Sequence, residues 1–389
     1  MIILKKLSSP ILVTQAILPS YHTYVEKIKQ IWDTHWLTNQ GVLHQGLQSE
    51  LKRFFDSEHV TLCVNGHLAL DLAIKALRLK GEVITTPFTF VSTTHALTMN
   101  NLRPVFCDIK STDYTIDEDK IEALIGPETS AILAVHVYGF PCEVEKLEHI
   151  AKKHNLKLIF DAAHVFGVEY NGRSIAKYGD ISMFSFHATK VFNSIEGGAL
   201  VYADPELEKT LDLFKNFGIA DAEHITEIGL NAKMNEFQAA MGLCNLAEYE
   251  KQTKKRKQIA EIYCTRLKQI SGIRLPNPSM NMTKTNFAYF PILVDETIYG
   301  ITRDVLYNKL ADYNIYARKY FYPLTCDCDC YNGQYKGVEV ETARYTAQRI
   351  LTLPIYGELD PEIATMICDI IQKNCQYTHE QYDTGVKCE

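Results

Sequence analysis

Short apolar runs recur along the first two-thirds of the chain, each followed by a segment with helical spacing. HVTLCVNGHLALDLAIKALRL (59–79) predicts a strand, a tight Asn65–Gly66 turn and an amphipathic helix from His67. EVITTPFTF predicts a strand ending in Phe88 and Phe90, with STTHALTMNN a helix. RPVFCDI, SAILAVHVYG, LKLIFDAAH and ISMFSFH read as further strands. Helices are expected near Asp117–Ile125 and over EVEKLEHIAKKHN. GGALVYAD then closes the sheet. Strands alternating with helices predict a mostly parallel sheet with helices on both faces. Upstream, Tyr21 to Trp32 has helical spacing, WLTNQG (Trp36 to Gly41) interrupts it, and a second helix is expected near Leu47–Phe55. Residues 1–20 read as an arm packed on the body.

After residue 229, a loop leads into a long helix from about Asn235 to Leu267, whose charged latter part reads as a solvent-facing bridge. A smaller α/β unit follows Pro276 and Pro278. Its strand is FAYFPILV, its helix TRDVLYNKLADYN and its second strand IYARKYFYPL; further helices start at Glu341 and Pro361. The tail from Tyr377 to Glu389 is polar and reads as frayed. The expected division is 1–245, an N-terminal arm and large domain, and 246–389, the bridging helix and a small domain.

Composition changes this picture little. With 389 residues, 46% hydrophobic and 22% charged, the chain has the makeup of an ordinary globular protein. A net charge of −7 argues against a nucleic-acid groove. No run of 18 apolar residues predicts a membrane span, and MIILKKLSSPILV lacks the h-region and cleavage site of a signal peptide. The expected compartment is the cytoplasm. Most of the eleven cysteines, such as Cys63, Cys107, Cys244 and Cys368, sit in apolar runs and read as small core residues. CDCDC, with Cys326, Cys328 and Cys330, has alternate spacing that suits a soft metal. A structural zinc site asks for a fourth ligand and two-residue spacers, so the expectation is a cysteine-rich surface loop and no metal.

The candidate chemistry lies where strands end. Lys190 follows the hydrophobic ISMFSFH strand, where a buried ammonium is costly. Its plain reading is a solvated lysine at a strand end. Its functional reading is attachment of pyridoxal phosphate (PLP), whose aldehyde converts the amine to an imine. That cofactor needs a carboxylate at its pyridine nitrogen and a phosphate cradle at a helix start. Asp161 ends the apolar strand IFDAAH, at the edge where ligands collect in such sheets; the alternative is a turn cap. The strand–Gly–helix junction at Gly66 offers backbone N–H groups to a phosphate.

Six ordered motifs carry a resemblance: NGHLAL, ITTPFTF, IFDAAHVFG, FSFHATK with a following EGG, GLNAKMNE and RKYFYPL. From Trp36 to Tyr356 the chain resembles the DegT/DnrJ/EryC1/StrS sugar-nucleotide aminotransferases. The resemblance implies an aspartate aminotransferase-like (type I PLP) fold: α/β, a mostly parallel sheet, and a smaller C-terminal α/β domain. It implies that Lys190 carries PLP and moves protons, and that Asp161 lies beneath the pyridine nitrogen. Phe90 would stack on the ring, Gly66 and His67 hold the phosphate with Ser185 adding a hydroxyl, and His164 lie beside the ring oxygen O3′. Asn231 would reach the phosphate from a second subunit of a homodimer with shared active sites. Thr38, Asn39, Lys233, Arg318 and Tyr322 are the candidate substrate residues. HATK, IEGG and NFGI resemble members that aminate C4 of dTDP-4-keto-6-deoxyglucose. They imply L-glutamate as donor, a dTDP-linked keto sugar as acceptor, and a role in cell-surface polysaccharide (O-antigen) synthesis.

The chain departs from the family at His67, where Thr or Ser is common; a hydroxyl donor is lost, and the imidazole or its backbone N–H remains. Relatives that replace the lysine by His are dehydratases, so the retained Lys190 favours transamination. Four other readings stay open. A dinucleotide-dependent oxidoreductase lacks its G-x-G-x-x-G. A non-catalytic PLP-binding regulator would share the PLP residues, and a metal scaffold would rest on CDCDC. An aminotransferase working on another keto-sugar nucleotide (UDP- or GDP-4-keto, or dTDP-3-keto) fits the same motifs.

Overall fold

The computed structural model describes residues 5–376. The expected frayed tail from Tyr377 lies outside the described residues. The central sheet has seven strands in the order His59–Cys63, Gly198–Tyr202, Ile181–Ser185, Lys157–Asp161, Thr129–Val135, Glu82–Thr85 and Arg103–Phe106. Five neighbouring strands, from Arg103–Phe106 to Ile181–Ser185, pair in parallel. Gly198–Tyr202 runs antiparallel to both its neighbours. It therefore does not close the sheet at an edge; it is inserted beside Ile181–Ser185, which returns the chain to the site.

Both faces of the sheet are buried, which explains the near-continuous apolar runs. Leu158, Phe160, Phe184 and Val201 join one core with the helices Val42–Phe55 and Val144–Lys153. Ile159, Ile181, Met183 and Leu200 join the opposite core, under the helices Gly66–Ala76, Val91–Met99 and Glu206–Phe214. Strand periodicity of two sends neighbours to opposite faces, so Asp161, in register with Met183, shares the face of these three helices.

Several elements differ from their sequence expectation. The strand at 82 stops at Thr85; Thr86 to Phe90 turn away, and Phe90 becomes the cap residue of the Val91–Met99 helix. IYARKYFYPL forms a strand only at Ile315–Tyr316, with one bridge at Arg318. The long helix runs Glu236–Leu267, with Asn235 and Gln238 closing a capping box. It is continuous across 245/246. Its latter part is not wholly solvent-facing: Arg256, Ile259, Ala260, Tyr263 and Leu267 are buried. Arg256 is 1% exposed, and its guanidinium donates to the Ile355 carbonyl at 3.1 Å. A third core joins this half of the helix to the strands Phe290–Val294 and Ile350–Leu353 and the helices Arg303–Asp312 and Pro361–Lys373. Ala288, Phe321, Tyr335 and Ala347 of the later segment pack into the first core instead. The arm pairs Ile11–Leu12 with Ile315–Tyr316. Among the described residues, no helix is long and apolar enough to cross a membrane.

Candidate active site

Asp161 ends the Lys157–Asp161 strand and is 6% exposed. Its Oδ2 accepts from the Thr93 hydroxyl at 2.7 Å, and its Oδ1 from the Ala163 amide at 3.1 Å. Burial pushes its carboxyl up, against the pull of these two donors and of Lys190. Lys190 lies on the turn after the neighbouring strand, its amide bonded to the His187 carbonyl at 2.9 Å. Burial holds the Lys190 amine below its ordinary value; the charge of Asp161 acts in the opposite direction. These two groups, singled out in the sequence, are electrostatic partners in the fold.

The phosphate candidates meet from three segments. Asn65 caps the Gly66–Ala76 helix, its side chain taking the Leu68 amide at 2.8 Å. A Cβ on Gly66 would lie 2.9 Å from the Ser185 Cβ, and one on Gly198 would lie 2.7 Å from the Asn65 carbonyl oxygen. Both positions need glycine because the helix start is pressed against two strand ends. This contact sets the first helical amides beside the Ser185 hydroxyl, with the positive end of the helix directed there. His67 is half-buried, and its Nδ1 lies 2.8 Å from the Ser92 Oγ. Helix Val91–Met99 therefore reaches both the carboxylate and the cradle.

His164 is buried, and burial, with Lys190 nearby, holds its imidazole well below the usual range. The Tyr138 amide donates to Nδ1 at 3.1 Å, so the neutral ring carries its proton on Nε2. Tyr289 packs 4.7 Å from His164, and Phe321 stacks 6.0 Å away. The Tyr138 hydroxyl donates to the Tyr320 carbonyl, tying this wall to the 318–324 segment.

The five substrate candidates do not converge in one chain. Arg318 and Tyr322 share a cavity of about 410 Å³ with Phe90, Tyr307, Lys319 and Cys328. The Arg318 guanidinium lies over the Tyr320 ring at 5.2 Å. Asn39 and Lys233 line a separate cavity of about 870 Å³ with Asn216 and Asp212. Lys233 donates to the Asn216 side chain at 2.7 Å and faces the Phe217 ring at 4.9 Å. Burial and Lys215 hold its amine down. Thr38 is exposed, and Asn231 is exposed and bridged to Asn216. The CDCDC thiols diverge: Cys326 is buried, Cys328 faces the Arg318 cavity, and Cys330 is exposed with its Sγ 3.7 Å from the His95 Nε2. Among the described residues, no group of three or more His, Cys, Asp or Glu side chains is placed to hold a metal.

Sequence reasoning missed Thr93, Ser92, Tyr138 and Tyr289. The one signal was the run of hydroxyls in TTPFTFVSTTHA, since Thr93 follows Phe90 at helical spacing.

The residues present fit pyridoxal phosphate. The glycine-dependent cradle has room and amide donors for a phosphate, and among the described residues no cation contacts the buried carboxylate, a contact that a protonated ring nitrogen would supply. An amine whose proton affinity is lowered by burial, electrostatically coupled to such a carboxylate, suits the movement of amino groups, and aminotransferases are the class that this fold and site define. The chain belongs to the DegT/DnrJ/EryC1/StrS aminotransferase family, whose model matches residues 21–372. The dTDP-4-amino-4,6-dideoxy-D-glucose transaminase of Shigella dysenteriae is 43% identical over 367 residues, covering 94% of this chain and 100% of the relative. A transaminase of the same name from Escherichia coli is 42% identical over 364 residues, covering 92% and 97%. The crystal structure of DesI with its TDP-sugar product superposes with a TM-score of 0.90 at 30% identity, covering 97% of this chain and 96% of that one.

Proposed function

We propose that this aminotransferase is PLP-dependent and moves the amino group of L-glutamate to C4 of dTDP-4-keto-6-deoxy-D-glucose. The product is dTDP-4-amino-4,6-dideoxy-D-glucose, destined for cell-surface polysaccharide such as O-antigen. The enzyme acts as a cytoplasmic homodimer. The observation that carries the cofactor reading is the electrostatic pairing of Lys190 with buried Asp161 beside the Gly66 cradle. The substrate reading is supported by the 43% identity to the Shigella transaminase over its whole length.

When bound, pyridoxal phosphate supplies a ring that accepts electrons from the carbon bearing the amine. The chain's residues do the rest. Gly66, His67 and Ser185 would hold the phosphate, with Asn231 added from the second subunit. Asp161 would keep the pyridine nitrogen protonated, Phe90 would pack on the ring, and the Nε2–H of His164 would hold the ring oxygen. Lys190 would hold the cofactor through its amine and would move the proton at the donor carbon. Burial lowers its proton affinity, which suits it to take up and release that proton. In the two-unit division, residues 1–245 hold the cofactor. Arg318 and Tyr322 of 246–389 meet the substrate from above Phe90. Thr38, Asn39 and Lys233 do so near the dimer contact.

The test is a pair of half-reactions. Enzyme loaded with pyridoxamine phosphate receives the 4-keto sugar or, separately, its 3-keto isomer, and absorbance follows return of the pyridoxal form. Recovery with the 4-keto compound alone is expected. Recovery with the 3-keto compound alone moves the reaction to C3. No recovery with any dTDP-, UDP- or GDP-linked keto sugar refutes the sugar reading.

A further inference from the structure

Each threonine hydroxyl has one proton to donate. Thr93 gives its proton to the Asp161 Oδ2 at 2.7 Å. The 3.0 Å contact between the Thr89 and Thr93 hydroxyls must then run from Thr89 to Thr93. The result is a directed chain from Thr89 through Thr93 to the carboxylate. Both threonines are buried, at 3% and 0% exposure, so water does not compete with the chain. Hydrogen bonds in series polarise one another in such surroundings. The Ala163 amide holds the other carboxylate oxygen, so the plane of Asp161 is fixed from both sides.

The same turn carries Phe90. It lies between the two threonines in sequence, caps the helix, and accepts from the Thr93 amide at 3.2 Å. One helical turn thus ties the aromatic proposed for the ring face to the carboxylate proposed for the ring nitrogen.

We propose that Thr93, polarised by Thr89, is a positioning residue that holds Asp161 in its charged form and in register with Phe90, so that the cofactor ring stays protonated. The proposal rests on the PLP reading above. The sign of its effect follows from charge. Loss of the Thr93 donor raises the proton affinity of Asp161, so less of the pyridine nitrogen remains protonated. A less positive ring lets the lysine-bound nitrogen keep its proton to higher pH.

The experiment uses loaded enzyme and the variants Thr93→Val, Thr93→Ser and Thr89→Val. Thr93→Val keeps the shape and removes the donor. Its visible band is expected to change with pH at a midpoint at least ~0.5 unit higher than wild type, a differential interaction of roughly 0.7 kcal/mol. Its kcat is expected to fall about tenfold or more with the KM for L-glutamate within about threefold. Thr93→Ser restores both, and Thr89→Val shifts the midpoint upward by less. A role in packing alone would lower stability and cofactor occupancy without moving the midpoint. An unmoved midpoint in Thr93→Val, or a Thr93→Ser that behaves like the valine variant, overturns the proposal. Should Thr93→Val not fold, Thr89→Val decides it, and an unmoved midpoint there overturns it. A wild-type protein that shows no visible band with pyridoxal phosphate overturns the cofactor reading and this proposal with it.

Discussion

The Nζ of Lys190 lies 5.9 Å from the centroid of the Tyr289 ring. That distance is at the outer reach of a cation–π contact, so the ring walls the amine more than it binds the charge. Tyr289 also packs on His164, and the three residues face one space from three segments of the chain. A lysine enclosed in this way is cheaper to keep neutral or covalently attached than charged.

Lys190→Ala is therefore expected to remove the visible band of the loaded enzyme and abolish transamination. Cofactor is expected to remain bound through the proposed Gly66–Ser185 cradle and to be lost on dialysis faster than from wild type. Absorbance and turnover with L-glutamate measure this. Normal turnover by the alanine variant would show that Lys190 is structural.

Asp161→Asn keeps the side-chain shape and removes its charge. The ring nitrogen is then less often protonated, and the developing negative charge on the substrate carbon is less stabilised. A loss of at least ~100-fold in rate is expected, about 2.7 kcal/mol for one such electrostatic partner. Single-turnover kinetics with L-glutamate test it, and an asparagine variant with most of its activity would make Asp161 a turn cap.

Asn231 and Lys233 sit on the loop before the Glu236–Leu267 helix, Lys233 lining the cavity of Asn39 and Asn216. If Asn231 completes a neighbour's phosphate cradle, two inactive proteins complement each other. Lys190→Ala mixed with Asn231→Ala is expected to regain up to about a quarter of wild-type activity after random subunit exchange, because one site in the mixed dimer is intact. Exchange verified by mass with no recovery would place Asn231 outside the partner's site.

Three buried histidines set the stability profile at mild acid. Burial lowers His44 to about 4 and His136 to about 3, and holds His164 well below its usual range. Their unfolded-state values are near 6.5. A lowered folded value means that the unfolded chain binds more protons in the interval, so stability is full above about 6.5 and declines as pH falls towards 4 and 3. Asp161, raised by burial, contributes in the opposite sense, with its stabilisation greatest at low pH. Urea midpoints are expected to be level from pH 8 to 7 and to drop between pH 6 and 5. His44→Gln makes that drop shallower. A flat profile from pH 7 to 5 would contradict the burial of these rings.

The pattern of apolar strands and following helices was enough to place Lys190 and Asp161 at strand ends, because strand periodicity and chain direction are local properties. Gly66 and Gly198 were legible as turn glycines. Their reason is tertiary: each makes room for another segment's backbone or side chain. The length of the Glu236–Leu267 helix followed from its spacing. Burial of Arg256 did not, since a charged position reads as exposed until its packing partners are known.

The folded chain alone decided which distant residues meet. Thr93 reaches Asp161 across 68 positions, and Ser92 reaches His67 across 25. Arg318 and Lys233, both plausible anion partners by residue type, fall in different cavities. Sequence order determined the strands and the groups at their ends, because those depend on neighbours a few residues away. Strand order and helix docking decided the hydrogen bonds between those groups, because they depend on how the elements pack in three dimensions.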